Sequence, residues 1–213
     1  TFNRFLIPKL KPNFEKIIYL DLDIIVLSDI KELYEINLDN YALGAAWSKK
    51  RKLYNIDTKD LMELSDNYKY FNAGVLLLNN KKWIENDILM KLFEIAQKYG
   101  DKVLHADETL LNKYFDNNYK ILDIKFNYLD YDVINSPEVK PIIRHFATPM
   151  KPWNSNYCFA NKKPIPLQNF DDFWKYAKMT KFHDIIRKNY DKEINKNFLT
   201  KKLSSIVNGA KNG

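Results

Sequence analysis

Apolar residues gather in short blocks separated by longer stretches with helical periodicity. Lys16-Ile17-Ile18-Tyr19-Leu20 opens an apolar run that continues past two acids to Leu27. It predicts a strand over 17–27, interrupted by Asp21 and Asp23. Asp29 to Tyr34 reads as a short helical turn with Ser28 as its cap. Tyr41 to Trp47 predicts a strand, and Lys49 to Asp66, polar and without alternation, a mobile loop or short helix. Phe71 to Leu78 is a buried strand, strongest at Val75-Leu76-Leu77-Leu78. Trp83, Ile84, Ile88, Leu92, Phe93 and Ala96 recur at helical spacing, and Gly100 stops that helix. A second helix carries Leu110, Leu111, Tyr114 and Phe115 on its buried side, with Asp107 at its start. Asn117-Asn118 marks a turn. Tyr119 to Asp123 and Pro141 to Phe146 read as further strands, and Asp171 to Lys178 as an aromatic helix. Strand–helix–helix–strand alternation predicts an α/β sheet with crossovers.

Composition narrows the class. The 213 residues are 46% hydrophobic, enough for a packed core, and no apolar run reaches membrane-span length. The single cysteine, Cys158, rules out an internal disulfide and fits a reducing compartment. The chain starts at Thr1 with no visible signal peptide, so a fragment of a longer protein is expected. The net charge of +7 is concentrated in the tail. From residue 181 onward, 8 Lys and Arg face 3 Asp and Glu, giving +5 and leaving +2 for the rest. A nearly balanced body argues against a nucleic-acid partner.

The chemistry centres on Asp21 and Asp23. At i and i+2 along a strand, both carboxylates aim at one face. The carboxyl end of a strand in an open α/β sheet faces the ligand crevice. Two acids there repel unless a cation balances them, and a divalent metal carrying a phosphorylated substrate is the natural occupant. A strand-end pair capping a nearby helix is the plainer alternative. His145 ends the apolar Ile142-Ile143 strand and reaches the same crevice, although a lone histidine is structural by default.

The runs YLDLDIIV, YFNAGVLLLN followed by KKW, DETLLN and HFATPMKPW occur in that order. Together they resemble the retaining glycosyltransferases of family 8, which include bacterial lipopolysaccharide galactosyl- and glucosyltransferases and glycogenin. Arg4-Phe5-Leu6-Ile7-Pro8 is similar to the family's segment before its metal motif. The resemblance covers about residues 1 to 155. It implies a GT-A-like mixed sheet flanked by helices, lacking the N-terminal nucleotide-binding strands. On this reading 1–155 is a partial catalytic core and 156–213 a helical, basic C-terminal segment.

The resemblance also implies roles. Asp21, Asp23 and His145 become ligands of Mn²⁺, with Mg²⁺ as the alternative. Arg4, Asp21, Leu22, Asp23, Asn72, Ala73, Asp107, Thr148 and Lys151 become donor-binding residues. Lys151 sets an ammonium against the diphosphate; alone it is a surface lysine before Pro152. Thr148 departs from the family's usual glycine. Asn72 and the Ala73 backbone contact sugar hydroxyls. Asp107 holds the donor sugar, and Glu108 stands where the family usually has glutamine, near the anomeric carbon. A carboxylate there stabilises or attacks an oxocarbenium-like centre, or is a substitution with a different acceptor contact.

The implied reaction moves glucose or galactose from a UDP-sugar to a saccharide or lipid-linked saccharide acceptor, in lipopolysaccharide or other surface-glycan synthesis. The implied location is the cytoplasm. The basic tail, with Phe198, Leu199, Leu203, Ile206 and Val207, suggests peripheral contact with the inner membrane face; a solvated terminus is the alternative. Two other readings compete. A haloacid dehalogenase-type phosphohydrolase also ends a strand in Asp-x-Asp, but here Ile25 stands where Thr or Val is usual. The other is a truncated relative without catalysis.

Overall fold

The computed structural model describes residues 2–47, 58–148, 151–154, 158–160, 163–165 and 170–192. Residues 49–57, the first half of the polar stretch from Lys49, lie outside these residues, as do Phe198, Leu199, Leu203, Ile206 and Val207 of the tail. A 3₁₀ turn, Phe2–Leu6, leads into α1 (Ile7–Leu10), β1 (Lys16–Leu20), β2 (Ile24–Val26), α2 (Lys31–Glu35), β3 (Leu43–Trp47), α3 (Thr58–Met62) and β4 (Phe71–Asn79). There follow α4 (Asn80–Glu85), α5 (Ile88–Tyr99), α6 (Ala106–Phe115), β5 (Lys120–Leu122), α7 (Asp132–Asn135), β6 (Ile143–His145), β7 (Cys158–Ala160), β8 (Lys163–Ile165) and α8 (Asp171–Ala177). Two compact units emerge: Thr1–Tyr128 with Lys140–Arg144, and Leu129–Val139 with His145–Gly213. One boundary between the units falls inside β6, between Arg144 and His145.

In the first unit the main sheet has the order β1-β4-β3-β5. β4 pairs antiparallel with both neighbours, and β3 pairs parallel with β5. β4 is buried along nearly all of its length, which explains its unbroken apolar run. Leu76 and Leu78 join a core with Trp83, Ile88, Leu92 and Leu111 from α4, α5 and α6. Val75 and Leu77 face the other way, onto Leu33, Leu122, Phe126 and Ile143. β2 and β6 form a separate two-stranded ribbon.

Local chemistry revises several expected elements. The single helix expected from Trp83 to Ala96 is two, α4 and α5. The break falls at Asp87, which takes a left-handed backbone (φ 49°). Ile84 in α4 and Phe93 in α5 do not share one buried stripe; both are about half exposed. Gly100 closes α5 at φ 47°, its N–H donating to the Ala96 carbonyl. At α2 the N-cap position is Ile30, not Ser28, and it makes no side-chain cap; Asp29, one residue earlier, accepts from the Lys31 N–H through Oδ1 at 2.8 Å. The expected strand over 17–27 is β1, a bend, and β2.

The second unit is held by aromatic rings. Phe146 meets Phe170 and Phe173 edge to face, and Trp153 packs on Phe173. Trp174 meets His183 and Tyr190, and the Arg187 guanidinium lies 5.1 Å from its ring centroid.

Candidate active site

The register of β1 on β4 carries the acids to their place. Leu20 pairs with Val75, and the Asp21 N–H donates to the Gly74 carbonyl at 2.8 Å, extending the ladder by one step. The chain then bends. Leu22 is fully exposed, and β2 starts at Ile24. Asp21 and Asp23 are thus brought together by a bend leaving the sheet, not by the alternation of a continuous strand. β2 pairs with β6, whose last residue is His145. One ligand atom each from Asp21, Asp23 and His145 lies within 4.8 Å of the others. Donors about 2.1 Å from a shared ion lie at most about 4.2 Å apart, so the group is within a small adjustment of closing on one cation. Two carboxylates and an imidazole suit Mn²⁺ or another first-row divalent ion.

Arg4, buried in the 3₁₀ turn, ties this bend to its surroundings. Its Nη2 donates to Asp21 Oδ1 at 2.9 Å, its Nη1 to the Ala73 carbonyl, and its Nε lies 2.5 Å from Asp107 Oδ2. The guanidinium stacks over Tyr19, 4.2 Å from the ring centroid. The Tyr19 hydroxyl donates to Asp21 Oδ1 at 2.6 Å. Burial, then that hydrogen bond, pushes the phenol's pKa well up, so it stays a donor. Asp21 Oδ1 accordingly accepts from two donors, which fix the plane of the carboxylate.

α6 brings in the next two acids. It is entered through Ala106 at φ 47°, a left-handed backbone that a residue with a side chain adopts at a cost. Asp107 and Glu108 occupy its first turn, where the helix dipole favours negative charge. Burial pushes the Asp107 carboxyl upward and outweighs the opposing pull of Arg4. Asp107 Oδ2 is in charge contact with Arg4 yet has no aligned hydrogen bond. Glu108 differs: Oε2 accepts from Asn72 Nδ2 at 2.9 Å and from the Ala73 N–H at 3.0 Å, and Oε1 accepts from the Tyr70 hydroxyl at 3.0 Å.

Asn72 is held on every side. Its Oδ1 accepts from the Gly74 N–H and from Asn127 Nδ2, both at 3.0 Å. Ala73 gives its N–H to Glu108 and its carbonyl to Arg4, which leaves one carbonyl lone pair as its remaining hydrogen-bonding capacity. In the second unit, Thr148 Oγ1 donates to Asp130 Oδ2 at 2.8 Å, and Lys151 Nζ donates to the Phe146 carbonyl.

Sequence reasoning missed Tyr19, Tyr70, Asn112 and Asn127. Tyr19, two residues before Asp21, carried a readable signal: alternation puts the pair on one side. Asn112, four residues after Glu108, also had one. Its side chain clasps the Phe71 N–H and carbonyl, each at 2.9 Å, and locks α6 to β4. Tyr70 and Asn127 had none.

Comparison with known proteins gives this arrangement its family. GlyE, a glycosyltransferase of Streptococcus pneumoniae, is 33% identical over 166 residues, covering 72% of this chain and 37% of that protein. A lipopolysaccharide 1,3-galactosyltransferase of Salmonella typhimurium is 29% identical over 172 residues, covering 73% of this chain and 49% of that protein. The chain thus spans between a third and a half of the length of these relatives. The crystal structure of galactosyltransferase LgtC, in complex with donor and acceptor sugar analogs, matches with TM-score 0.65 and 25% identity, over 80% of this chain and 64% of that one. The fold is accordingly GT-A-like, a mixed sheet flanked by helices. Residues 1–157 match the family model for glycosyl transferase family 8, and the chain belongs to that family.

Proposed function

We propose that the chain is the catalytic part of a metal-dependent, retaining hexosyltransferase that moves glucose or galactose from a UDP-sugar to a saccharide acceptor, in lipopolysaccharide or other surface-glycan synthesis. The observation that carries this reading is the meeting of Asp21, Asp23 and His145. A divalent ion held by them supplies positive charge against the leaving diphosphate, and the imidazole in the set favours Mn²⁺ over Mg²⁺.

The chain's own residues do the rest. Arg4 and Tyr19 orient Asp21. Asp107, whose Oδ2 is held by Arg4, takes a hydroxyl of the donor sugar through its carboxylate. The Asn72–Ala73 backbone lies alongside that sugar, and the exposed Leu22 lies against the nucleotide. Lys151 and the Thr148 turn meet the diphosphate, adding positive charge where negative charge grows. A diphosphate stabilised in this way leaves without an acid to protonate it. As the bond from the anomeric carbon to the diphosphate oxygen breaks, the acceptor oxygen bonds to that carbon from the same face and passes its proton to the departing phosphate oxygen, which retains configuration.

The reaction is placed in the cytoplasm with a saccharide or lipid-linked acceptor. Among the described residues no helix is long and apolar enough to cross a membrane. Met179, Phe182 and Ile185 are exposed beside Lys178, Lys181 and Lys188, which supports peripheral contact with an anionic surface. Deleting residues 181–213 is expected to reduce sedimentation with anionic liposomes; equal pelleting overturns that contact.

The transferase reading is tested by UDP release with Mn²⁺ across UDP-glucose, UDP-galactose and UDP-N-acetylhexosamines. A UDP-hexose is expected to be consumed, and Asp23→Ala to lower turnover by about 10³-fold or more. No release from any donor, or undiminished turnover in Asp23→Ala, overturns it.

A further inference from the structure

Glu108 anchors a group of hydrogen bonds around the start of β4. Both its oxygens are engaged, by Tyr70, Asn72 and the Ala73 N–H. The Ala73 carbonyl accepts from Arg4, and the next carbonyl, that of Gly74, accepts from the Asp21 N–H. Asn72 is braced in turn by Asn127. Glu108 thereby connects the first turn of α6 to the segment leading into the acid bend. Its own backbone carbonyl accepts from Asn112 Nδ2 at 2.9 Å, so the helix end that carries it is pinned as well.

These contacts bear on what the carboxylate does. A nucleophilic carboxylate brings a lone pair to the anomeric carbon. Three donors withdraw electron density from this one, and turning it toward a sugar leaves buried donors without acceptors, which is costly. We infer that Glu108 is a positioning residue: it fixes the Asn72–Ala73 segment against the donor sugar, Tyr70 holds Glu108 in that orientation, and the carboxylate does not attack the sugar. The inference rests on the transferase reading above.

A glutamine preserves this network. Its carbonyl oxygen accepts from Asn72 and Ala73, and its amide donates to the Tyr70 oxygen. An attacking carboxylate has no such substitute, because an amide is a poor nucleophile.

The test uses the full chain with Mn²⁺ and the preferred UDP-hexose, comparing wild type, Glu108→Gln, Glu108→Ala and Tyr70→Phe. Initial rates give kcat and KM separately, and thermal midpoints check folding. Tyr70→Phe is expected to raise the donor KM about three- to tenfold with kcat little changed, the loss of one hydrogen bond. Glu108→Gln is expected to lower kcat by no more than about tenfold, and Glu108→Ala to raise KM by more than about tenfold. A folded Glu108→Gln whose kcat falls by about 10³-fold or more at unchanged KM overturns the inference and makes Glu108 the attacking group. So does a glycosyl adduct mapped to Glu108 by mass spectrometry of the wild type incubated with donor alone. Unchanged KM in both Tyr70→Phe and Glu108→Ala also overturns it. If the wild type releases no UDP from any donor, the transferase reading itself fails; if it turns over and only the variant pattern differs, this inference alone fails.

Discussion

Asp107 and Glu108 are neighbours, both buried in the first turn of α6, yet they sit in opposite environments. Around Asp107 the contacts are charged and incomplete: one guanidinium at 2.5 Å and an oxygen without an aligned hydrogen bond. Around Glu108 both oxygens accept from uncharged donors. A buried polar atom left without an aligned partner stores a cost that a ligand can relieve. A carboxylate saturated with donors has no such reserve and serves to hold its donors in place. Two adjacent acids in one helix turn thus differ: one is paired with a guanidinium, and the other accepts from a hydroxyl, a side-chain amide and a backbone N–H.

The sharpest way to break the comparison is to remove the cation on the Asp107 side. Arg4→Met leaves Asp107 buried without its counter-charge and frees the Ala73 carbonyl. A loss of about 3–5 kcal/mol in denaturant unfolding is expected. A loss below about 1 kcal/mol would make the guanidinium an ornament of the site rather than its support.

Asn112→Ala attacks the brace. It strips the N–H and carbonyl of Phe71 of their partners inside the core. About 2 kcal/mol of stability is expected to go, because two buried backbone groups lose their bonds. A value near zero in the same unfolding experiment would mean that α6 is held to β4 by its apolar packing alone.

The smallest effect is one of slope. The Asp107 carboxyl titrates above its ordinary 3.8 in the folded chain because burial disfavours its charge. Between 3.8 and its folded pKa, the folded state holds more protons than the unfolded one. This group's contribution therefore falls as pH rises through that window. Asp107→Asn mimics the protonated form. Its stability relative to wild type is expected to rise with pH across the window and then level off. Thermal midpoints in matched buffers from pH 3.5 to about 7 measure this; a difference that falls with pH would reverse the assignment.

How much of this was legible in the sequence depended on whether one segment carried the signal. β4 was readable because a strand buried on both faces needs an unbroken apolar run. The end of α5 was readable because Gly100 supplies a left-handed backbone at no steric cost. The bend at Leu22 was not, since Ile17 to Leu27 has strand composition on both sides of the acids and only the pairing of β2 with β6 breaks it. Asp87 was equally silent: nothing in the helical spacing from Trp83 to Ala96 indicates a left-handed residue within it. In the site, Asp21, Asp23, Asp107 and Glu108 stood out as acids at element ends. The distinction between the last two did not, because it is made by Arg4, Tyr70 and Asn72, which reach α6 only through the tertiary fold.

The most direct measurement is a Mn²⁺ titration followed by the electron paramagnetic resonance signal of the free ion, comparing wild type with His145→Ala in the presence of UDP. One bound ion per wild-type chain is expected, with an affinity at least about tenfold weaker in the variant, since an imidazole ligand is lost. Equal affinity in both proteins, or no bound ion in the wild type, would contradict a shared cation site made by Asp21, Asp23 and His145.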